Sequence, residues 1–159
     1  MKYAPAMKGY RRLVVWQRAH EAASSVYRLL KTKRLEPWLS SQIMRAAFSV
    51  PSNIVEGNAR RSPRDYVRFL DTAFASLSEL DYQLFFLSDN EIIAPEEYAE
   101  LLPGLDEIGN RLIALMRAVA KSAKAGTWQQ IAEEPGRYSA GADWIDLPPS
   151  TFHLPGEVG

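Results

Sequence analysis

Residues 49–65 read SVPSNIVEGNARRSPRD, and the organisation of the chain can be worked out from this stretch. Apolar helical periodicity runs into it and resumes after it, so it holds the end of one helix and the start of the next. We predict that Gly57 ends the first helix in the left-handed conformation that glycine adopts easily. Ser62 is a typical N-cap, Pro63 suits the first helical position, and Asp65 completes a capping box.

The segment between these two helix ends is short and basic. It contains Arg60 and Arg61, and Arg64 follows in the first turn of the next helix. A link of this length joins two antiparallel helices. It is either a helical turn with no further role or a basic loop that recognises a partner, and the residues of the turn alone leave both interpretations open.

Apolar residues at spacings of three and four predict four helices. The first begins near Arg11 or Arg12 and is about 20 residues long, the second covers 37–56, the third covers 63–88, and the fourth begins at Pro95. In the third helix the series Tyr66, Leu70, Ala73, Leu77, Leu80, Leu84 and Leu87 is typical of near-parallel helix packing. Because the links are short, the predicted fold is all-α, an up-down-up-down four-helix bundle.

Two prolines fall inside the predicted helices. Pro51 removes a backbone donor and predicts a kink in the second helix, with Ser52 and Asn53 available to satisfy the freed backbone groups. Pro103 and Gly104 interrupt the fourth helix, so either its first turns are separate or it bends there.

The composition divides the chain into three parts. Residues 1–10 are predicted to be an irregular arm, residues 11–121 the bundle, and residues 122–159 a C-terminal extension rich in proline, glycine and aromatic residues. The aromatic residues argue against a fully solvated tail. We therefore expect an extended segment that docks part of itself on the bundle or on a neighbouring subunit.

The net charge is zero, but the charges are unevenly distributed: residues 1–70 have a balance of +10 and residues 71–159 one of −10. In the predicted topology one end of the bundle collects ten cations, namely Lys8, Arg11, Arg12, Arg60, Arg61, Arg64, Arg68, Arg117, Lys121 and Lys124. The helix dipole explains Lys121 and Lys124 at a C-terminus, but it disfavours cations at the N-termini of the first and third helices. The sequence therefore predicts a basic end of the molecule.

The sequence lacks the usual signatures of catalytic and metal sites. It has no cysteine, and neither of its two histidines, His20 and His153, follows a glutamate at the spacing of a di-iron or zinc motif. No glycine-rich phosphate loop, signal peptide or membrane-spanning stretch is recognisable. We expect a cytoplasmic protein that is not an enzyme and has no metal or cofactor.

Some apolar side chains lie outside the narrow stripe that is enough to pack one helix against the next. Trp16, Val67 and Phe74 lie beside the main stripes. They either widen the core or form an interface between subunits, where aromatic residues are enriched.

The segments Val15-Trp16-Gln17, Pro51-Ser52-Asn53-Ile54-Val55-Glu56-Gly57 and Phe69-Leu70 resemble the bacterial four-helix bundle proteins named after 23S rRNA intervening sequences. That family includes the accessory variability determinant of diversity-generating retroelements. The resemblance extends from about Leu13 to Lys121 and implies a homopentamer. For the retroelement members it also implies binding of structured RNA and of a reverse transcriptase through a basic surface.

Two hypotheses about function follow. In the first, the chain is a ring-forming scaffold that contacts RNA through Arg11, Arg12, Arg45, Arg60, Arg61, Arg64 and Arg68. In this hypothesis, the motif residues Pro51, Ser52, Asn53, Glu56, Gly57, Ser62 and Pro63 shape the turn rather than touch a partner. In the second, the chain is a protein-interaction module that has no nucleic-acid partner. It binds through its tail or through the opposite, acidic end of the bundle, which collects Asp89, Glu91, Glu96, Glu97 and Glu100.

Overall fold

The computed structural model describes residues 5–128, and all regular secondary structure in this range is helical. A 3-10 helix, Pro5–Arg12, precedes four α-helices: α1 (Val14–Lys31), α2 (Pro37–Asn58), α3 (Pro63–Asp89) and α4 (Pro95–Lys124). Consecutive helices pack against each other, and α1 also packs against α4. This arrangement confirms the predicted all-α four-helix bundle.

The beginning of the chain differs from the prediction. An irregular arm was expected up to residue 10, but Pro5–Arg12 is a 3-10 helix, and α1 begins at Val14 rather than at Arg11 or Arg12. The break falls at Leu13, whose side chain is buried in the core. The two helices are also joined by a hydrogen bond from Gln17 Nε2 to the carbonyl oxygen of Arg11, at 2.9 Å.

Helix α2 continues through Pro51 without interruption. Ser52 Oγ donates to the carbonyl of Phe48 (2.7 Å), and Asn53 Nδ2 donates to the carbonyl of Ser49 (2.9 Å). A proline removes the hydrogen bond to the carbonyl four residues earlier. The two side chains therefore bond the carbonyls one and two residues after the one that Pro51 frees. Contrary to the prediction, they do not bond the freed carbonyl itself.

Helix α4 is also continuous, so its first turns are not a separate element. Pro103 lies within it, and a methyl group added at Gly104 would have no atom within 4 Å. The helix continues to Lys124, three residues beyond the predicted end of the bundle.

The core lies along the predicted stripes. In α3 the heptad series is buried as expected: Tyr66, Leu70, Ala73, Leu77, Leu80, Leu84 and Leu87. No polar or charged residue is classed as buried among the side chains described, those of residues 9–128. The interior of the bundle is therefore apolar, and polar chemistry is confined to its surface and its ends.

Ion pairs join α1 and the link that follows it to α4 at two levels. In that link, Lys33 Nζ contacts the Glu97 carboxylate at 2.7 and 2.8 Å. Glu97 Oε2 also accepts from the Ala94 N–H at 2.8 Å, and together the two contacts lower the pKa of Glu97, the lysine contributing most. Nearer the middle, Arg18 contacts Glu107 at 3.3 Å.

Candidate nucleic-acid interface

Gly57 lies at the closest approach of α2 and α3. It sits inside α2, one residue before the helix ends, and its φ is not positive; among the described residues only Glu91 and Gly126 have positive φ. A Cβ at this position would stand 2.8 Å from Tyr66 Cδ2 and 3.1 Å from Phe69 Cβ. The prediction of a left-handed helix end was therefore wrong: glycine is needed here because α3 leaves no room for a side chain.

The start of α3 follows the prediction for Ser62 and Pro63, but in the described part of the chain the Asp65 carboxylate pairs with Arg68 at 3.8 Å and does not complete a capping box. Ser62 is the N-cap, with φ −96° and ψ 127°, and its Oγ accepts from the Asp65 N–H at 3.4 Å. Pro63 is the first residue of the helix. Because the cap and the close approach at Gly57 hold both ends of the turn, the side chains between them project from a well-supported backbone.

Four arginines surround this turn, and we call Arg60, Arg61, Arg64 and Arg68 the basic turn. All four side chains are exposed. Arg60 forms an ion pair with Glu56, and its guanidinium carbon lies 4.5 Å from the centroid of the Phe69 ring. The guanidinium carbon of Arg68 lies 5.4 Å from the same centroid.

The two arginines around Phe69 have a structural role that the sequence reasoning missed. Cations over an aromatic ring are attracted by its negative face. Arg68 is the residue next to Phe69, but Arg60 belongs to the other side of the turn. Nothing in the residue spacing signals that contact, since it depends on how α2 and α3 cross.

Arg61 and Arg64 are the more available members of the basic turn. Among the side chains of residues 9–128 they have no ion-pair partner. Arg64 and Arg68 border a shallow surface depression, which is lined by Ser62, Arg64, Asp65, Val67, Arg68 and Asp71. The two carboxylates in this depression reduce its positive potential, and Arg61 lies outside its lining.

Trp128 connects the end of α4 to the basic turn. After Lys124 the chain turns at Gly126, which has a φ of +69°. The Trp128 side chain is 7% exposed, its ring lies 5.8 Å from that of Tyr66, and its Nε1 donates to the Arg61 carbonyl at 2.8 Å. One residue of the predicted C-terminal extension thus docks on the bundle, whereas the expectations for residues 129–159 lie outside the described part of the chain.

The structure brings most of the proposed RNA-contacting residues to one end. Arg11 and Arg12 end the 3-10 helix, which packs against α2, and a Cβ on Gly9 would lie 3.8 Å from Asn58 Nδ2. Arg45 is elsewhere: it precedes the last residue of α2, Asn58, by 13 residues, or roughly 20 Å along the helix axis. Its Nη2 donates to Gln42 Oε1 at 2.5 Å.

The predicted subunit-interface residues make contacts within the chain. Trp16 stacks on His20 and meets Tyr10 edge-on, with ring centroids 5.2 and 4.9 Å apart. Phe74 packs close to Gly109 of α4. Among the side chains of residues 9–128, the large apolar ones that remain exposed are others, namely Tyr27, Trp38, Phe48, Tyr82, Phe85 and Phe86.

The described residues contain no group of three or more histidine, aspartate or glutamate side chains placed to hold a metal ion. They also contain no helix that is long and apolar enough to cross a membrane.

Comparison with known proteins identifies the family. The family model of the 23S rRNA-intervening sequence proteins matches residues 11–114, about two thirds of the chain. The chain belongs to this family. The match covers α1, α2, α3 and most of α4, and it includes the whole basic turn.

A solved structure agrees with this assignment. It is a crystal structure from Bacteroides thetaiotaomicron of a protein of unknown function, described as a member of the S23 ribosomal protein family. It is 29% identical to the chain with a TM-score of 0.62, and the match covers 65% of this chain and 98% of the other. No curated protein matches the chain.

Proposed function

We propose that the chain is a non-enzymatic, oligomeric scaffold that binds structured RNA through the basic turn. The observation that carries the proposal is the pair Arg61 and Arg64. Both are exposed at the start of α3, and neither has an ion-pair partner among residues 9–128. Guanidinium groups suit phosphate oxygens because they form two parallel hydrogen bonds with them.

The position of these arginines supports a role in binding rather than in folding. Arg64 and Arg68 occupy the first two turns of α3, where the helix dipole is positive and a cation is unfavourable. Arg60 and Arg68 also have structural contacts at Phe69. Helix stability alone therefore does not account for Arg61 and Arg64, whereas attraction of a polyanion does.

The proposal is tested by fluorescence anisotropy with a labelled RNA hairpin. The test variant is R61A/R64A, and the control is R28A/R34A, which removes the same charge from exposed arginines near the opposite end of α1. We expect the test variant to lose affinity by about tenfold or more at 0.1 M salt, and the control to change it far less. Equal effects of the two variants, or no RNA binding by the native chain, would sink the proposal.

Oligomerisation into a homopentamer is part of the same proposal, since several basic turns on one ring would bind RNA with avidity. Exposed aromatic residues on α2 and α3 support it: Trp38, Phe48 and Tyr82 are each 64–67% exposed. Trp16, Val67 and Phe74 stay predicted interface residues. Light scattering should give about five times the chain mass, and a monomer at micromolar concentration would contradict this part.

The same exposed aromatic residues favour a second candidate, a protein-interaction module that works without nucleic acid. Large apolar side chains on a surface mark contacts with other proteins. Under this alternative, a partner captured from cells would stay bound after nuclease treatment and at high salt. The substitution F48S would release it, whereas R61A/R64A would not.

A further inference from the structure

The sequence beyond Trp128 is acidic. Residues 129–159 contain five carboxylates and one arginine, a balance of −4. The first two carboxylates, Glu133 and Glu134, follow Trp128 by five and six residues. This segment therefore has the charge opposite to that of the basic turn and is attached close to it.

The attachment point is well defined. Trp128 is buried against Tyr66, and its Nε1 donates to the carbonyl of Arg61, a member of the basic turn. A polypeptide spans at most about 3.6 Å per residue, so the Cα atoms of Glu133 and Glu134 lie within about 22 Å of the Trp128 Cα. Both carboxylates are therefore tethered by a short linker to a residue that itself contacts the basic turn.

Tethering makes this attraction effective. A segment held by a short linker acts at a local concentration of about a millimolar, far above that of most RNA ligands. The charges attract over a Debye length of about 8 Å at physiological salt. If the carboxylates occupy the basic turn, an incoming phosphate backbone must displace them before it contacts Arg61 and Arg64.

We propose that residues 129–159 dock on the basic turn and compete with RNA for it. This inference rests on the proposed function for its consequence, because the competitor matters only if the turn binds a polyanion. The docking itself is an intramolecular contact and has a test of its own. The acidic segment would then set the affinity of the surface and restrict it to strongly charged, structured ligands.

The competition is tested in the full-length chain with E133Q/E134Q, and the control is E96Q/E100Q, which removes the same charge from exposed residues near the start of α4. We expect the tail variant to bind an RNA hairpin at least about threefold more tightly at 0.1 M salt, with the gain shrinking as salt rises. The control should gain much less. Equal gains from both variants, or none from the tail variant, would overturn the competition.

The docking is tested without RNA. Because the chain has no cysteine, S139C accepts a single nitroxide label, and its broadening of amide signals in residues 60–68 can be followed by NMR. We expect broadening that weakens at high salt and in R61A/R64A. If the broadening were the same at high salt and in R61A/R64A as in the native chain at low salt, the docking would be overturned. If docking is seen and RNA binding is not, the proposed function and the competition fail and only the docking stands. If RNA binds without docking, the proposed function stands and this inference fails.

Discussion

Gly57 and Tyr66 are in such close contact that a single methyl group on the glycine would stand 2.8 Å from the tyrosine ring. Real Cβ atoms do not approach other atoms this closely, so any side chain at 57 forces the Tyr66 ring, or the backbone that carries it, to shift. Tyr66 in turn packs against Trp128, which holds the Arg61 carbonyl. The geometry of the basic turn therefore depends on a glycine at this position.

The first prediction concerns this contact. G57A should lower the free energy of unfolding by about 1–3 kcal/mol, because overpacking a well-filled site displaces ring and backbone. The matched control is G104A, at a helical glycine with open space around it. That change should raise stability by roughly 0.5–1 kcal/mol, since alanine is the better helix former.

Urea denaturation of both variants measures this difference. The two stability changes should have opposite signs, because the added methyl group contacts the Tyr66 ring in G57A and open space in G104A. If G57A were as stable as the native chain, α3 would not pack against α2 as closely as described here.

Part of this could be predicted from sequence, and part could not. The stripe of α3, the Ser62 cap and the four-helix order depend on local spacing, and the pattern predicted them correctly. The role of Gly57 could not be predicted, because the sequence does not distinguish a glycine that ends a helix from one that lets two helices pack closely. The 3-10 helix at Pro5–Arg12 was missed because its residues, with Pro5 and Gly9, also suit an irregular arm.

The candidate site shows the same division. Local charge and topology predicted that Arg60, Arg61, Arg64 and Arg68 would share one end. Contacts between distant segments, such as Arg60 over Phe69 and Trp128 on Arg61, could not be predicted from spacing because each depends on the packed helices.

The second prediction concerns Trp128. W128F keeps an aromatic ring against Tyr66 but removes the donor to the Arg61 carbonyl, so it should destabilise the chain by about 1–2 kcal/mol. The control is W38F, at a tryptophan that is 65% exposed, where the change should be within about 0.5 kcal/mol. Equal effects in thermal or urea unfolding would show that Trp128 is not docked.

The third prediction uses the lowered pKa of Glu97, which results from its bonds to Lys33 and to the Ala94 N–H. A carboxylate whose folded pKa is lowered stabilises the fold above its unfolded pKa, about 4.3, and loses that effect as the pH falls through the folded value. The stability difference between the native chain and E97Q should thus be full at neutral pH and vanish in acid.

Urea unfolding at a series of pH values checks this, with the neighbouring exposed Glu96 as the control. E96Q removes the same charge from a side chain that lacks the bonds to Lys33 and to the Ala94 N–H, so its stability difference at neutral pH should be smaller. If the difference in the free energy of unfolding between the native chain and E97Q were constant from pH 7 to pH 3, the charge of Glu97 would not stabilise the bundle.

The fourth prediction addresses the central claim, that the basic turn contacts RNA phosphates. The most direct measurement is the slope of log affinity against log salt concentration, for an RNA hairpin and the full-length chain. If Arg61 and Arg64 each neutralise a phosphate, R61A/R64A should flatten this slope by about one unit per arginine, while R28A/R34A leaves it unchanged. A slope that is the same in the native chain and in R61A/R64A would contradict the claim.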